Sequence, residues 1–247
     1  MITFDTVSKT YAKELTSAAH TALAAISFSV SRGETLGLIG ANGAGKSTAI
    51  KLLMDFIRPD AGSISILGSS PKNPEIRRRV GYLPETANFP SNLTVLDMLR
   101  FTGSTCSMPQ QEVRAASEKW LRRLGLWEAR KRPLRNYSKG MQQRANFAIA
   151  LLNEPELLIL DEPMSGLDPL GRADILALIG ELKSQGRTIL FCSHILEDVD
   201  RLVNRVLVLH QGRKIFEGQP HDLAEQQGCS AFVEGYLSLV QQVSEND

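Results

Sequence analysis

The chain has 247 residues, of which 43% are apolar and 22% are charged, and this composition is ordinary for one large globular domain. Its 28 basic and 27 acidic residues leave a net charge of +1, so no global field points to nucleic acid. The aromatic fraction of 6% also argues against a surface on which bases would stack.

The spacing of the cysteines and the length of the apolar stretches indicate the cellular compartment in which the chain resides. Cys106, Cys192 and Cys229 are far apart and form no C-x-x-C pair, so neither a zinc site nor a disulfide framework is expected. The N-terminal residues 1–11 lack the basic and apolar regions of a secretory signal, and no stretch approaches 18 consecutive apolar residues. We therefore expect a cytoplasmic chain in a reducing compartment, without a membrane span of its own.

The first third of the chain reads as strands followed by one helix. Alternating apolar and polar residues predict antiparallel strands at 2–11 and 22–30, separated by a longer turn or short insertion at 12–21. The short apolar run "TLGLIG" predicts a strand buried on both faces. A helical pattern, "AIKLLMDFI", follows and ends before Pro59, and strands are predicted within "DAGSISILGSS" and "VGYLPE".

The middle of the chain changes character, because helical periodicity replaces strand signals from residue 88 to about residue 150. Three helices are predicted there, at residues 94–101, 109–129 and 140–154. Strands and helices then alternate, which predicts a parallel, doubly wound core. The predicted strands are 155–163, 187–194, 205–211 and 213–220, and the predicted helices are 172–186, 195–203 and a tail at 232–243.

A glycine-rich loop lies between the buried strand and the first helix. The stretch "GANGAGKST", Gly40 to Thr48, fits G-x-x-x-x-G-K-[ST] at every fixed position, in the strand–loop–helix context that this motif requires. Gly40, Gly43 and Gly45 would let the backbone approach an anion, and the helix N-terminus adds positive charge. Lys46 would reach the phosphates and Ser47 would ligate Mg²⁺. The alternative, a structural turn with a chance lysine, does not account for this context.

Two carboxylates follow a second buried strand, in "LLILDEP". Asp161 and Glu162 come at its C-terminal end, where ligands bind in open parallel sheets. Beside a P-loop, Asp161 would hold Mg²⁺ and Glu162 would orient or deprotonate the attacking water. Without the P-loop, such a pair is as often a surface charge. His194 ends another apolar strand, and from the residues alone it reads as a half-exposed polar side chain rather than a γ-phosphate sensor.

The octet "YSKGMQQR", residues 137–144, reads as a helix start. Taken in order, "GANGAGKST", this octet, "LLILDEP", "SGLD" and "SH" resemble the ATP-binding-cassette (ABC) ATPases, specifically the nucleotide-binding subunit of an ABC transporter. The resemblance extends from residue 2 to about residue 219. It implies an α/β P-loop NTPase fold with a mostly parallel sheet core, an N-terminal antiparallel β subdomain and a nested helical subdomain. The implied domains are 1–225, with the helical subdomain at 88–153, and a helical tail at 226–247.

The resemblance also implies roles for individual residues. Two ATP molecules would lie in a head-to-tail dimer, where Ser138 and Gly140 of one subunit cap the γ-phosphate held by the P-loop of the other. Tyr11 would stack on adenine, Asp168 would couple the two sites, and His194 would act as the switch histidine beside the catalytic Glu162. The implied ATP contacts are Tyr11, Gly40, Asn42, Gly43, Ala44, Gly45, Lys46, Ser47, Thr48, Ser138, Gly140 and Asp168, and the implied Mg²⁺ ligands are Ser47, Glu85 and Asp161.

The sequence departs from the common family pattern in two places. In the octet, Tyr137, Lys139 and Met141 replace the usual leucine, first glycine and glutamine. Lys139 either adds positive charge near the γ-phosphate or is simply solvated. Glu85 stands where glutamine is common, and it either contacts Mg²⁺ or is a surface carboxylate in a coupling loop. Both variants resemble the branch of single-domain ATPases that pair with separate membrane subunits for efflux and export.

The resemblance implies partners as well. A groove between Pro84 and about Leu99 would receive a short coupling helix from a multi-span membrane permease, and a second ATPase subunit would complete a homodimer on the inner face of the membrane. The alternative class is a soluble ABC ATPase for DNA repair, translation or cofactor assembly, and a P-loop kinase would leave the octet unexplained. The basic runs at 77–79 and 128–135 are read as solvated or facing lipid headgroups, and no nucleic-acid partner is expected.

Overall fold

The computed structural model describes residues 1–12, 20–86 and 88–246. Its internal contacts divide the chain into two compact units, Met1–Lys72 with Thr188–Asp247, and Asn73–Arg187. Most of the insertion predicted at residues 12–21 lies outside the described residues. The helical subdomain predicted at 88–153 falls wholly within the second unit, and its boundaries stay a prediction.

Both units combine strands with helices. The first unit contains β1 (Ile2–Tyr11), β2 (His20–Val30), β3 (Thr35–Ile39), α1 (Lys46–Leu53), β4 (Ala61–Ile66), β7 (Thr188–Cys192), α7 (Leu196–Leu202), β8 (Arg205–His210), β9 (Arg213–Gly218), α8 (Pro220–Gln226) and α9 (Phe232–Asn246). The second contains α2 (Pro74–Arg77), β5 (Val80–Leu83), α3 (Val95–Thr105), α4 (Gln110–Arg123), α5 (Lys139–Leu151), β6 (Leu157–Asp161) and α6 (Pro169–Ser184). Each strand predicted from the sequence is present, which confirms the α/β fold class.

The first unit carries an antiparallel sheet in the order β2-β1-β4. The predicted alternation appears in β1, whose residues Ile2, Phe4 and Val7 are buried. Phe4 lies opposite Phe28 of β2, and the two rings stack with their centroids 4.5 Å apart. The register also pairs Tyr11 with His20, so these two residues lie opposite each other at one end of the two strands.

The same unit contains the parallel strands that lead into the P-loop. The central strand β3 pairs in parallel with β7 on one side and β8 on the other, and all five of its residues are buried. A side chain at Gly37 would be crowded, since a Cβ would lie 3.0 Å from methyl carbons of Val199 and Val203. The glycine lets α7 and the segment after it pack directly on the strand.

Helix α1 is shorter than predicted. It ends at Leu53, because Asp55 adopts the left-handed conformation at φ 56°. The Phe56 N–H donates to the Lys51 carbonyl at 2.9 Å and the Asp55 N–H donates to the Leu52 carbonyl at 3.1 Å, which together form a Schellman motif. The prediction to residue 57 was wrong because aspartate, rather than glycine, supplies the left-handed residue here.

The second unit pairs β5 and β6 in parallel and packs α5 against β5, α3 and α4. Helix α3 begins with a capping box in which Thr94 and Asp97 exchange hydrogen bonds. Helix α4 ends at Arg123, six residues before the predicted end at residue 129, because Gly125 takes the left-handed conformation at φ 69°. Two short helices were not predicted, α2 and α8, although each has proline in its first turn and an N-terminal capping bond.

Among the described residues, no helix is long and apolar enough to cross a membrane. The tail predicted as a helix is present as α9, which packs on α7 and α8 within the first unit. Its residue Gly235 lies so close to α8 that a Cβ would come within 2.9 Å of the Ala224 Cα. The tail is therefore a packed element of this unit.

Candidate nucleotide-binding site

The loop between β3 and α1 is shaped around the Lys46 ammonium group. Lys46 is buried, and its Nζ donates to the Gly40 carbonyl at 2.6 Å and to the Ala41 carbonyl at 3.1 Å. Neither partner is a carboxylate, so its positive charge is not cancelled by these bonds. Helix α1 starts after Gly45 without a side-chain cap, which leaves the first N–H groups of the helix directed at whatever lies in the loop. The buried Lys46 cation and the N-terminus of α1 together favour the binding of an anion in the loop.

The glycines of this loop are needed for different reasons. A Cβ at Gly40 would lie 2.3 Å from the Leu209 carbonyl oxygen, and one at Gly45 would lie 2.5 Å from the Ala22 carbonyl oxygen. These two glycines therefore let neighbouring strands of the protein approach the loop. Of the three glycines in this loop, Gly43, at φ 82°, is the one whose Cβ position faces open space. The expectation that all three glycines make room for an anion thus applies most directly to Gly43.

An open depression of about 160 Å³ lies over the loop. Its lining joins Tyr11, His20 and Ala22 of the antiparallel sheet with Asn42, Gly43, Gly45, Lys46, Ser47 and Thr48. The structure thus brings Tyr11 beside the P-loop, as an adenine-stacking residue requires. Gly40 and Ala44 are buried and do not line the depression, and the Ala44 carbonyl ties the loop to the β8–β9 turn by accepting from the Gly212 N–H at 3.1 Å.

His20 also lines this depression, although it was not predicted from the sequence. It is the cross-strand partner of Tyr11, and the two side chains share one end of the β1–β2 hairpin. The only signal in the sequence was the strand register, which cannot be predicted across an insertion of unknown conformation.

The predicted switch residue His194 is exposed in the segment after β7, where the Ser193 hydroxyl accepts from the Ile195 N–H at 3.1 Å. Its role as a switch stays a prediction.

The two predicted catalytic carboxylates lie at the end of β6 in the second unit. Asp161 is the last residue of the strand and is buried, and Glu162 is half-buried with a left-handed φ of 47°. A non-glycine residue in this conformation costs backbone energy, and such residues concentrate at functional sites. The Glu162 carbonyl accepts from the Ser165 N–H at 3.0 Å, which fixes the turn after the strand.

The octet forms the start of α5, as predicted. Ser138 is the N-cap, and its hydroxyl accepts from the Met141 N–H at 3.2 Å while the side chain stays exposed. Lys139 is exposed as well, which agrees with a solvated lysine. A Cβ at Gly140 would meet only ordinary contacts, the nearest being 3.5 Å from the Gly166 carbonyl oxygen. Packing therefore does not require this glycine.

Tyr137, the first departure in the octet, has a structural explanation. Its ring is buried, and its hydroxyl donates to the Ala129 carbonyl at 3.0 Å. Burial raises the pKa of the Tyr137 hydroxyl, so it remains a neutral donor. The tyrosine ties the start of α5 to the preceding loop, a role that leucine cannot perform.

Glu85 and Asp168 are both exposed. Asp168 is the N-cap of α6, and its Oδ1 accepts from the Gly171 N–H at 2.7 Å, so it has a local role whatever else it does. Glu85 follows Pro84, whose carbonyl accepts from Asn146 Nδ2 at 3.1 Å. Asn146 and Gln143 are polar residues on the buried side of α5, each 4% exposed, and neither was predicted from the sequence. The signal was present as two amides three residues apart within an otherwise apolar helix face.

Comparison with known proteins identifies the family. Residues 23–165, more than half of the chain, match the family model described as ABC transporter. The chain therefore belongs to the ABC transporter family, which confirms the resemblance found in the motifs.

Three similar proteins illustrate the match. An ABC transporter ATP-binding protein of Synechocystis sp. is 45% identical over 195 residues, covering 78% of this chain and 55% of that protein. The Nod factor export ATP-binding protein I of Burkholderia orbicola is 38% identical over 231 residues, covering 92% of this chain and 74% of that protein. A solved structure of an ATP binding subunit of an ABC transporter is 34% identical, with a TM-score of 0.87 over 97% of this chain and 99% of that one. The chain thus spans a little more than half the length of the Synechocystis protein.

Proposed function

We propose that this chain is the ATP-binding and ATP-hydrolysing subunit of an ABC transporter that exports its cargo. One observation carries the proposal most directly, namely the depression in which Tyr11 lies beside the P-loop and its buried Lys46. An aromatic ring, a helix N-terminus and a buried cation at one place suit a nucleotide with its phosphate chain. The family of the chain and the names of its relatives support the same conclusion.

Binding follows from the loop chemistry. The N–H groups at the start of α1 and the Lys46 ammonium group bind the phosphates, Thr48 adds a phosphate contact, and Tyr11 stacks on adenine. Asn42, Gly43 and Ala44 contribute the surrounding backbone. Ser47, Asp161 and Glu85 are the residues assigned to Mg²⁺, since each offers an oxygen donor of the kind that Mg²⁺ prefers, and the ion would neutralise charge on the terminal phosphates.

Hydrolysis is assigned to Glu162. Its carboxylate takes a proton from the attacking water, and the turn after β6 holds the backbone at this residue in place. His194 contacts the γ-phosphate and registers its presence. Ser138 and Gly140 present a helix N-terminus to the γ-phosphate in the other subunit of a homodimer, and Asp168 couples the two sites. Loss of the γ-phosphate removes the charge that bridges the subunits.

The partner of this dimer is a multi-span membrane permease, which places the chain at the inner face of the membrane. The export assignment rests on the octet and Glu85 variants together with the Nod factor export relative. A soluble ABC ATPase for repair, translation or cofactor assembly is not favoured, because the relatives named above are ATP-binding proteins of transporters or of an export system.

The catalytic assignment is tested by Glu162→Gln. This variant keeps the side chain's size but removes the base, so turnover should fall by about 10²- to 10⁴-fold while an ATP-stabilised dimer accumulates on size exclusion. Glu112→Gln is the control, because Glu112 is an exposed residue in the first turn of α4. Near-normal turnover of Glu162→Gln would remove Glu162 as the base.

The transport assignment is tested by purifying the chain from detergent-solubilised native membranes. A multi-span membrane protein that stays bound through the purification is the expected result. A complex made only of soluble proteins would contradict the transporter assignment and leave the ATPase assignment standing.

A further inference from the structure

Helix α5 carries two buried amides that hold loops of the proposed catalytic machinery. Gln143 Nε2 donates to the Pro163 carbonyl at 3.0 Å and lies 3.5 Å from the Glu162 carbonyl. Asn146 Nδ2 donates to the Pro84 carbonyl at 3.1 Å. The first bond holds the backbone directly after Glu162, and the second holds the peptide group that joins Pro84 to Glu85.

The two amides lie on one face of a rigid element. Positions 143 and 146 are three apart, so their side chains project from the same side of the helix. Between and beside them, Ala145, Phe147 and Ala148 are completely buried, which leaves the helix no freedom to rotate without breaking its packing. A displacement of α5 must therefore carry both bonded carbonyls with it or leave buried amides unpaired.

The same helix begins at Ser138, the residue assigned to the γ-phosphate of the other subunit. Asn146 is about 12 Å along the axis from this N-cap, given a rise of about 1.5 Å per residue. In the proposed dimer one end of α5 would face the nucleotide of the neighbouring subunit, while its buried face holds the loops that carry Glu162 and Glu85 in its own subunit.

The geometry points to Gln143 and Asn146 as positioning residues that couple the two ATP sites of the dimer: when the start of α5 engages one nucleotide, these amides set the backbone at Glu162 and Glu85 for the other. This inference rests on the proposed function. Neither residue touches substrate in it, and both act through main-chain carbonyls.

Leucine substitutions test the coupling. Gln143→Leu and Asn146→Leu remove the donor and keep a side chain of similar size. We expect turnover to fall about tenfold, since small misplacement of a catalytic group is costly. The Hill coefficient for ATP should fall from about 2 toward about 1, because two coupled sites would become independent. Affinity for a fluorescent ATP analogue, measured on the monomer, should stay within about twofold, because the P-loop is untouched.

Asn153→Leu is the matched control. Asn153 follows α5 and its Nδ2 donates to the Arg78 carbonyl, so the change is chemically the same but lies away from both catalytic loops. It should keep the wild-type Hill coefficient. Should a leucine variant elute as an aggregate, Gln143→Ala and Asn146→Ala remove the same donors without adding apolar bulk.

The outcomes separate this inference from the function on which it rests. An unchanged Hill coefficient at either position removes that residue from the coupling, and an equal loss in Asn153→Leu overturns the coupling altogether. A wild-type chain that hydrolyses no ATP would instead contradict the proposed function, and the inference with it.

Discussion

Lys46 shows how a single residue prepares the loop for a charged ligand. Its ammonium group bonds two main-chain carbonyls of the loop it belongs to, so the loop holds its shape around a buried cation. Burying a charge beside neutral carbonyls is unfavourable, and an anion that enters the loop relieves this cost. The residue therefore stabilises the bound state more than the unbound one.

Lys46→Ala should accordingly lose nucleotide affinity. We expect the dissociation constant for ATP to rise by at least about tenfold, because a charge-assisted hydrogen bond to phosphate is worth roughly 1.5–3 kcal/mol. Isothermal titration calorimetry measures this directly. Lys51→Ala is the control, since Lys51 is exposed in the last turn of the same helix. Unchanged ATP binding by Lys46→Ala would exclude the P-loop from the site.

At the scale of an element, the ends of α4 and α1 show how far the local sequence predicts where a helix stops. Helix α4 ends at a left-handed Gly125, with the Leu126 N–H donating to the Leu121 carbonyl at 2.8 Å. Helix α1 ends in the same way at Asp55. Glycine is the common residue at this position, so the end of α4 was marked in the sequence. Aspartate is rarer there, and a helical pattern that continues past it gives no warning.

Helix α3 offers a test of one such element. Thr94 accepts from the Asp97 N–H at 3.2 Å, and Asp97 Oδ2 accepts from the Thr94 N–H at 3.0 Å. Thr94→Ala should lower the free energy of unfolding by about 1 kcal/mol, the usual effect of losing an N-cap. Urea denaturation measures the change. Thr105→Ala, in the exposed last turn of α3, should have a smaller effect.

The same helix predicts a pH dependence. Hydrogen bonds from the side chain and backbone of Thr94 hold the pKa of Asp97 below its usual value. The stability contributed by ionised Asp97 is therefore present above the usual aspartate pKa and is lost as the pH falls through the lowered value. Thr94→Ala should raise the pKa of Asp97 toward its usual value, so the variant should be less stable than wild type at neutral pH, and this difference in the free energy of unfolding should shrink as the pH falls through the lowered pKa. Urea denaturation at several pH values measures the difference, and a difference that stays constant down to acidic pH would contradict this linkage.

At the scale of the whole molecule, the proposed dimer depends on an exposed helix start. Ser138→Asp separates its two roles, since aspartate caps a helix as well as serine does but places a negative charge where the γ-phosphate would lie. The variant should fold with wild-type thermal stability and bind ATP, yet fail to form the ATP-stabilised dimer. Size exclusion in a Glu162→Gln background measures this. A dimer that forms at the wild-type ATP concentration would rule out the assigned contact.

The sequence by itself determined the chemistry of the loop and the types of the elements. The P-loop and the carboxylates at the end of β6 lie within short contiguous stretches, and strand and helix periods are local properties, so these predictions needed no tertiary information. The motifs and their order were also sufficient to recognise the family, which the comparisons then confirmed.

Only the tertiary structure decided which distant groups meet. Gly40 is required because the Leu209 carbonyl of β8 occupies the space of its Cβ, and His20 lines the depression because the strand register places it opposite Tyr11. Gln143 and Asn146 became meaningful only when their acceptors at Pro163 and Pro84 were located. These contacts join groups that are far apart in the chain, and three of them end on a main-chain carbonyl. A carbonyl is the same in every residue, so no residue type marks it in the sequence.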